Sequence, residues 1–302
     1  MIPYSGVLAV VLDYRGAERT VYCLESLKAQ GLAKVILVDN SGDENSSREL
    51  DCCVSAMGWS EDWLQLVRPK ANLGFAGGVN LAIATDMELG GHTHYLLMNN
   101  DAVAPPGLVA RLVEVLEASP SLAAVAPMLR GGTGQESPVI WYNRYLGILT
   151  RKSTPLSFPY LCGCCVLLKA SVVKDGRLFD PAFFMYGEDV DLGWRIRQSG
   201  LEVASVEDVE ILHEAGASSR KGQLFYEFSL ARTHLQLVPR TCTILEAPLA
   251  LITKVFVLLV RAFVRSARYR SVVPLQAFFF SLFRARAMPP CREATPSTVP
   301  SQ

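Results

Sequence analysis

The sequence has few charged residues, few histidines and no pair of CxxC motifs. Of its 302 residues, 19% are charged, four are histidine and 50% are hydrophobic. A chain this apolar can bury a sizeable core, which excludes a wholly disordered protein. The eight cysteines include two adjacent pairs, Cys52–Cys53 and Cys164–Cys165. We therefore expect reduced and mostly buried thiols rather than a zinc site or a disulfide framework.

The N-terminus does not resemble a secretory leader. Its first apolar run, residues 7–12, is short, and no basic stretch precedes it. This pattern predicts a cytoplasmic protein.

The net charge is zero only as an average over two unlike parts of the chain. Residues 1–214 carry 17 basic and 26 acidic side chains, whereas residues 215–302 carry 12 basic and 3 acidic ones. With a mean hydropathy of +0.23, this asymmetry predicts that the C-terminal part faces an anionic membrane surface. The basic and aromatic platform that binds RNA is missing, so we expect no nucleic acid partner.

Short apolar runs alternate with helical patterns through the first half of the chain. The runs that we expect to be strands are residues 7–12, 34–38, 64–67, 95–98 and 123–126. Repetition of strand, helix and strand predicts an α/β fold, with a mostly parallel sheet flanked by helices. In such sheets ligands bind beyond the carboxyl ends of the strands.

Three later segments are predicted from the same kinds of pattern. Residues 131–158 are rich in glycine, serine, threonine and aromatic residues, and we expect a mobile lid or an acceptor loop there. A helix is expected over residues 190–198. Two short strands are expected over residues 202–206 and 209–212.

Polar side chains follow three of the predicted strands. They are Asp13, Tyr14 and Arg15 after the first strand, Asp39 and Asn40 after the second, and Asn100 and Asp101 after the fourth. Each set alone suits a turn or a helix cap. Three sets at strand ends predict one shared crevice.

A metal site is suggested by Asp101, because carboxylate oxygens are the ligands that Mg²⁺ or Mn²⁺ prefers when it also binds a diphosphate. His213, at the end of a later predicted strand, is a candidate second ligand. A lone histidine is more often structural, so both interpretations of His213 stay open.

Glycines mark the most distinctive segment, NLGFAGGVN at residues 72–80. Gly74 and Gly77 allow close backbone approach, and a helical apolar pattern follows. A glycine loop that opens a helix can present N–H groups to a phosphate. The segment is neither the GxGxxG dinucleotide fingerprint nor a P-loop, which argues against a dehydrogenase or a P-loop NTPase.

Three carboxyl groups, Glu188, Asp189 and Asp191, follow the aromatic stretch at residues 183–187. As the first turn of a helix they would favour its dipole, and Asp191 would pair with Arg195 one turn later. Asp189 remains a candidate general base, because apolar neighbours and nearby like charge raise the pKa of a carboxyl group.

In this order, these motifs resemble family 2 glycosyltransferases, and most of all their rhamnosyltransferase-like branch. The resemblance covers about residues 5–235. It implies a GT-A fold, a nucleotide-sugar donor, a divalent metal ion and inversion at the anomeric carbon. The motifs that carry it are VDNS (38–41), NLGFAGGVN (72–80), LMNND (97–101), FFMYGEDVDL (183–192) and HEAG (213–216).

Carried over residue by residue, the resemblance implies Asp189 as the catalytic base and Asp101 and His213 as ligands of Mg²⁺ or Mn²⁺. Glu188 and Asp191 would form a supporting acidic cluster. The residues that it implies for donor binding are Asp13, Tyr14, Arg15, Asp39, Asn40, Asn72, Gly74, Phe75, Gly77, Asn80, Asn100 and Asp101.

The composition changes after residue 235. We predict a catalytic domain over residues 1–235, a basic amphipathic helical region that associates with membranes over 236–288, and a disordered tail over 289–302. The apolar run at residues 247–260 is shorter than the ~20 residues of a spanning helix. Further basic residues, Arg284 and Arg286, follow a second apolar run.

At helical spacing, four cations of the C-terminal region share one stripe opposite an apolar one. This predicts a helix in the plane of the membrane, with its cations near anionic headgroups. A helix packed on the catalytic domain with a solvated basic face is the alternative. The cations are Lys254, Arg261, Arg265 and Arg268.

The sequence therefore predicts an inverting glycosyltransferase at the inner face of the cell membrane. It would transfer a sugar, with rhamnose among the options, from a dTDP- or UDP-sugar to a lipid-linked or cell-surface glycan acceptor. A catalytically silent nucleotide-sugar-binding protein of a glycan assembly complex is the open alternative. A nucleotidyltransferase is disfavoured, because no glycine-rich phosphate loop follows the first strand.

Overall fold

The computed structural model describes residues 4–131, 134–213 and 222–283. Its strands are β1 (Tyr4–Asp13), β2 (Leu32–Asp39), β3 (Leu64–Val67), β4 (His94–Asn99), β5 (Ala102–Val103), β6 (Leu122–Gly131), β7 (Gly134–Glu136), β8 (Val139–Asn143), β9 (Leu149–Thr150), β10 (Ser157–Leu161), β11 (Cys165–Lys169) and β12 (Glu202–His213). Its helices are α1 (Ala17–Lys28), α2 (Glu44–Ser55), α3 (Gly74–Glu88), α4 (Leu108–Ala118), α5 (Glu188–Gln198), α6 (Leu224–Gln236), α7 (Val238–Thr241), α8 (Ala247–Tyr269) and α9 (Val273–Phe283).

One large sheet forms the centre of the molecule. Its strands run in the order β3-β2-β1-β4-β11-β6-β12-β5, and β7 pairs with β6. The pairs β1–β2, β1–β4, β2–β3 and β6–β12 are parallel, whereas β11 is antiparallel to β4 and β6. The alternating pattern in the sequence predicted this mostly parallel sheet, and the prediction is confirmed.

The central strands are apolar on both faces because helices cover both. In β1, Val7, Ala9 and Val11 belong to one core, which also contains buried residues of α1, α2 and α4. Leu8 and Val10 belong to the other core, with buried residues of α3 and α5. Burial on both faces explains why these strands read as continuous apolar runs.

Residues 131–158 do not form the lid or loop that their composition predicted, so that prediction is wrong for the residues that the structure describes. The strands β8, β9 and β10 form a small antiparallel sheet instead. The aromatic residues explain the difference, because Tyr142 and Phe158 are fully buried and Phe158 packs against Trp194 of α5 at 4.9 Å between ring centroids. These rings fold the segment onto the core.

Two further expectations meet a clear outcome. The two short strands predicted after the helix of residues 190–198 are a single strand, β12, because its pairing with β6 continues after a register shift between Val206 and Glu210. The seven cysteines that the structure describes are free thiols, but only Cys23, Cys164 and Cys165 are buried, so the expectation of mostly buried thiols is wrong for this part of the chain.

The helix α8 is longer than its apolar run. It spans 23 residues and, by length and composition alone, is long and apolar enough to cross a membrane. The apolar run of residues 247–260, which by itself falls short of a bilayer, is only the first part of this helix. The helix continues through Arg261 and Arg265 because charged residues on one face do not end a helix.

The cationic stripe of α8 points the opposite way from the prediction. Lys254 is fully buried, Arg261 lies beside His234 and Arg265 forms an ion pair with Glu227 of α6. The cations therefore face the protein, except Arg268, which is exposed. Both a stripe that contacts lipid headgroups and a solvated basic face are contradicted for the other three cations.

The predicted boundary at residue 235 falls inside α6, which packs against α8 and α9. The division of the chain into a catalytic and a membrane-associating part stays a prediction. The predicted tail over residues 289–302, and Arg284 and Arg286 before it, lie outside the described residues.

Candidate active site

The parallel strands bring their polar ends together at one edge of the sheet. Asp13 at the end of β1 is directly opposite Asp39 at the end of β2. On the other side of β1, Leu12 is opposite Asn99, after which Asn100 and Asp101 follow. Residues from three separate parts of the sequence thus meet at one edge of the sheet.

Asp13 lies at the centre of a buried hydrogen-bond network. Its Oδ1 accepts hydrogen bonds from the Thr20 hydroxyl at 2.6 Å, the Gly16 amide at 3.2 Å and the Asn100 side chain at 3.4 Å. Among the described residues, its Oδ2 has no partner. Burial raises the pKa of Asp13 in spite of these hydrogen bonds. Asn100 also donates to Thr20, so it ties the end of β4 to the start of α1.

Tyr14 and Arg15 directly follow Asp13 and form the rim of this edge of the sheet. Arg15 has a positive φ of 55° and lies 5.3 Å from the centre of the Tyr14 ring. Its Nε donates to Asp43 at 3.1 Å. Asp43 also caps α2, so the rim is fixed to the start of that helix.

Asp39 is a fully satisfied carboxylate rather than an open one. It accepts hydrogen bonds from the Ser41 amide and hydroxyl, from Ser47 and from Arg68 Nε at 2.9 Å. Burial alone would raise its pKa, but these hydrogen bonds lower it.

Arg68 is a site residue that the sequence analysis missed. Its guanidinium bridges Asp39 and Asp51. It directly follows β3, so the rule that directed attention to the ends of the other strands would also have found it.

The glycine segment is held to neighbouring parts of the backbone by hydrogen bonds. The Asn40 side chain accepts a hydrogen bond from the Leu73 amide at 2.8 Å and donates to the Gly74 carbonyl at 3.0 Å. Asn72 accepts from the Gly74 amide at 2.8 Å, and the Phe75 amide donates to the Phe184 carbonyl at 2.8 Å. The amides of Leu73, Gly74 and Phe75 therefore donate within the protein, and phosphate binding by the segment stays a prediction.

Gly74 is required at this point by its close contacts. It has a φ of +72°, and a Cβ there would lie 2.1 Å from the Phe184 carbonyl oxygen. A side chain would push residue 184 away, five residues before Asp189. The glycine segment therefore fixes the residues that lead to Glu188 and Asp189.

Gly77 and Asn80 support the same segment from α3. A Cβ at Gly77 would lie 2.8 Å from the Leu73 Cβ. The Asn80 side chain accepts from the amides of Leu178 and Phe179 and donates to the Phe179 carbonyl, at 2.8 to 3.0 Å. Asn80 therefore positions backbone, and its hydrogen-bonding capacity is used within the protein.

Asp101 and Asp189 border one short segment. Burial and the charge of Asp189 raise the pKa of Cys162. Burial and neighbouring charges, including the charge of Asp101, raise the pKa of Cys164. The Asn99 amide donates to the Cys164 carbonyl at 2.8 Å. Cys162 and Cys164 lie at most about 7 Å apart along the chain, so the two carboxyl groups act on neighbouring parts of one segment.

The backbone of β12 places His213 next to Asp101. His213 is opposite Ala102 in the antiparallel pairing of β12 with β5, one residue after Asp101. The side chain of His213 and the rest of the HEAG motif lie outside the described residues. No group of three or more potential ligands occurs among the described residues. Carboxylate oxygens suit Mg²⁺ or Mn²⁺, which completes its coordination with phosphate and water oxygens.

The N-terminus of α5 holds two acidic side chains in an apolar setting. Glu188 is buried, and within the described part of the chain its Oε2 has no partner. Asp189 is half-buried, and its Oδ1 accepts a hydrogen bond from the Val190 amide at 2.8 Å. Burial raises the pKa of both groups, and the charge of Asp189 raises that of Glu188 further. Asp189 is the more exposed of the two, and its hydrogen bond from the Val190 amide favours the ionised form.

Asp191 is committed to structure. It pairs with Arg195 at 3.0 Å, as the spacing predicted, and lies 3.7 Å from Arg240. Gly187 lets α5 begin here, because its φ is +90° and a Cβ would lie 2.3 Å from Thr233 of α6. Thr233 in turn donates to the Tyr186 carbonyl. The start of α5 thus rests on α6.

The comparisons with known proteins agree with this architecture. Residues 5–227 match the family model described as "Glycosyltransferase like family 2". The chain is 26% identical, over 188 residues, to the N-acetylglucosaminyl-diphospho-decaprenol L-rhamnosyltransferase of Mycobacterium tuberculosis. This alignment covers 52% of the chain and 60% of that relative.

Two further proteins are similar over more of their length. The low-salt glycan biosynthesis hexosyltransferase Agl10 of Haloferax volcanii is 21% identical over 230 residues, which cover 73% of this chain and 71% of the relative. A mannosyltransferase from Pyrobaculum calidifontis, solved with GDP-Man and Mn²⁺, superimposes with a TM-score of 0.55 at 17% identity, covering 92% of this chain and 86% of that one. At this identity the likeness shows a shared GT-A fold.

Proposed function

Because the chain belongs to the family 2-like glycosyltransferases, we propose that it transfers a sugar from a UDP- or dTDP-sugar with inversion of configuration at the anomeric carbon. The sugar is a hexose, with rhamnose as the first candidate. The proposed acceptor is a lipid-linked or cell-surface glycan in the synthesis of envelope polysaccharide. Rhamnose and a lipid-linked acceptor are named for the Mycobacterium relative, of which the chain spans about 60%.

The observation that carries the proposal is the pair of carboxyl groups at the start of α5. Burial raises the pKa of both groups, but Asp189 is the more exposed and accepts a hydrogen bond from the Val190 amide, so we take Asp189 as the group that ionises first. A half-buried carboxylate in an apolar setting is a suitable general base. A silent binding protein would have no need of this arrangement.

The proposed reaction is a single displacement. Asp189 takes the proton of an acceptor hydroxyl, and the hydroxyl oxygen forms a bond to the anomeric carbon. The bond between that carbon and the diphosphate oxygen breaks on the opposite face, and the electron pair leaves with the nucleoside diphosphate. One displacement of this kind inverts the configuration.

The donor is proposed to lie along the crevice at the strand ends. Tyr14 and Arg15 border the nucleotide, and Asp13 and Asn100 line the floor. Asp39, held by Arg68 and two serines, positions the base or ribose side of the crevice.

Asp101 and His213 are proposed to hold Mg²⁺ or Mn²⁺. The β12–β5 pairing supports this assignment, because it brings His213 beside Asp101. When bound, the ion neutralises charge on the departing diphosphate. A cytoplasmic location fits the reduced thiols.

Replacement of Asp189 tests the proposal. Thermal shifts with UDP-, dTDP- and GDP-sugars and Mn²⁺ first identify the donor. With that donor and simple glycoside acceptors, Asp189→Asn should lower turnover by ~10²–10⁴-fold, because it removes the base, while the thermal shift stays close to that of the wild type. Proton NMR of the product should show the inverted anomer.

Glu188→Gln is the matched variant, because the amide resembles the protonated acid. It should lose far less turnover than Asp189→Asn. Near-normal turnover in Asp189→Asn would show that another group is the base. Stabilisation by a donor without any turnover in the wild type would favour the silent binding protein.

A further inference from the structure

The helix α8 exposes apolar side chains along most of its length. Six of them repeat at intervals of three or four residues, so they lie on one side of the helix. Each is between 46% and 68% exposed. We call this side the outer face of α8, and it consists of Leu249, Ile252, Phe256, Val260, Phe263 and Val264.

The opposite side of α8 is docked on the rest of the protein from end to end. Near its start, Thr253 donates to the Tyr145 carbonyl at 2.8 Å. In its middle, Lys254 lies buried 5.2 Å from the centre of the Tyr142 ring. Towards its end, Arg265 pairs with Glu227 of α6. One face of α8 therefore packs against the protein, and the opposite face is exposed.

This docking decides between spanning and lying flat. A spanning helix would have to carry α6 and the small antiparallel sheet into the hydrocarbon, together with their polar groups. A helix that lies flat inserts only one face. At 23 residues, α8 presents about 34 Å of such a face.

Apolar side chains next to α8 extend the exposed surface. Ile244 and Leu245, just before the helix, are each 89% exposed, and Phe283 at the end of α9 is 83% exposed. Exposed apolar surface on this scale is unusual for a protein surface that meets only water.

The charges at the end of α8 indicate which partner covers this surface. Arg268 and Arg270 are exposed there, and residues 222–283 carry seven basic and two acidic side chains. Anionic headgroups supply opposite charge at the rim, whereas a second copy of the chain would bring more cations. Charge complementarity therefore favours lipid.

We propose that α8 lies in the plane of a bilayer, with its outer face among the acyl chains and Arg268 and Arg270 at the headgroups. The proposal reverses the orientation expected from the sequence, since three of the four stripe cations point into the protein. It concerns a surface apart from the catalytic crevice and does not depend on the proposed reaction.

Vesicle co-sedimentation of the full chain tests the proposal. One set of vesicles is phosphatidylcholine alone, and in the other phosphatidylglycerol replaces part of it. The wild type should bind both sets, and the anionic one more tightly. Phe256→Ser combined with Phe263→Ser should weaken binding to both by roughly 10- to 100-fold, because two large apolar side chains lose their burial.

The matched control is Met87→Ser combined with Leu89→Ser, which removes exposed apolar side chains at the end of α3. It should bind like the wild type. Because Phe256 and Phe263 are exposed, the test variant should melt at the wild-type temperature.

Three results would overturn the proposal. One is wild-type affinity in the Phe256/Phe263 variant, and another is binding only to anionic vesicles that salt abolishes. The third is a wild-type dimer in sedimentation velocity that the variant converts to monomer, without vesicle binding by either protein.

Discussion

Two regions of the molecule bury ionisable side chains, and they bury opposite signs. At the start of α5, Glu188 and Asp189 lie in an apolar setting, and burial raises the pKa of both. Under α8, Lys254 and Arg261 lie close to His234, and burial lowers the pKa of all three. Each region thus favours the neutral form of its groups or requires a partner for the charged form.

The difference between the regions lies in their partners. Under α8, Arg265 has a buried carboxylate in Glu227, and Arg261 Nη1 lies 3.3 Å from His234 Nε2. Burial and the neighbouring cations lower the pKa of His234 to about 3, so its ring is neutral and accepts that hydrogen bond. These cations hold α8 against α6. The acidic pair at α5 has no ion-pair partner among the described residues, which is typical of groups retained for chemistry.

Replacement of Glu227 should have the largest effect on stability, because it removes the buried carboxylate under α8 and leaves the acidic pair of α5 unchanged. Glu227→Gln leaves Arg265 and Arg261 without a buried carboxylate, and breaking a buried pair costs about 3–5 kcal/mol. Urea denaturation without lipid should show this loss in the free energy of unfolding. The matched control is Glu44→Gln in the exposed pair with Arg48, which should cost less than about 0.5 kcal/mol. A Glu227→Gln protein as stable as the control would mean that the pair does not fasten α8.

Lys254→Met should stabilise the protein. Lys254 is fully buried, and its Nζ has no hydrogen-bond partner among the described residues. A methionine of similar volume removes the buried charge, and we expect a gain of about 1–3 kcal/mol near neutral pH.

The gain should depend on pH in a defined direction. Burial lowers the pKa of Lys254 to about 8, below its usual 10.5. Between these values the unfolded chain binds more protons, so the wild type becomes more stable as pH rises. The advantage of Lys254→Met should therefore be full below the folded pKa and shrink above it. If the stability gain of Lys254→Met does not change with pH, the gain comes from packing rather than from loss of the buried charge.

The sequence was most informative where a local pattern and a fold rule pointed to the same place. Parallel strands end at one edge of the sheet, so Asp13, Asp39 and Asn100 were predicted to meet, and the strand register brings them together. The pairing of Asp191 with Arg195 followed from helical spacing and is also present. The first prediction needed the strand ends and the rule for parallel sheets, and the second needed only the spacing along one helix.

The sequence was least informative about which way a surface faces. Periodicity showed that Lys254, Arg261 and Arg265 share one side of a helix, but a period says nothing about what covers that side. The buried partner, Glu227, lies 38 residues from Arg265 and belongs to another helix. The same limit applies to Asn80, whose backbone partners are nearly 100 residues away. Long-range contacts of this kind follow from the folded arrangement alone.

The pH dependence of catalysis tests the acidic region by itself. Burial raises the pKa of Asp189 to about 6, and that of Glu188 to about 8. A general base acts when ionised, so kcat/KM should be constant above the pKa of the base and fall about tenfold per pH unit below it. If Asp189 is the base, the acidic limb lies near pH 6 and persists in Glu188→Gln. A limb near pH 8 that Glu188→Gln abolishes would assign the proton transfer to Glu188 instead. Under α8, His234 stays neutral in this range, and Lys254 titrates around pH 8, so a limb near pH 6 reports on the acidic pair.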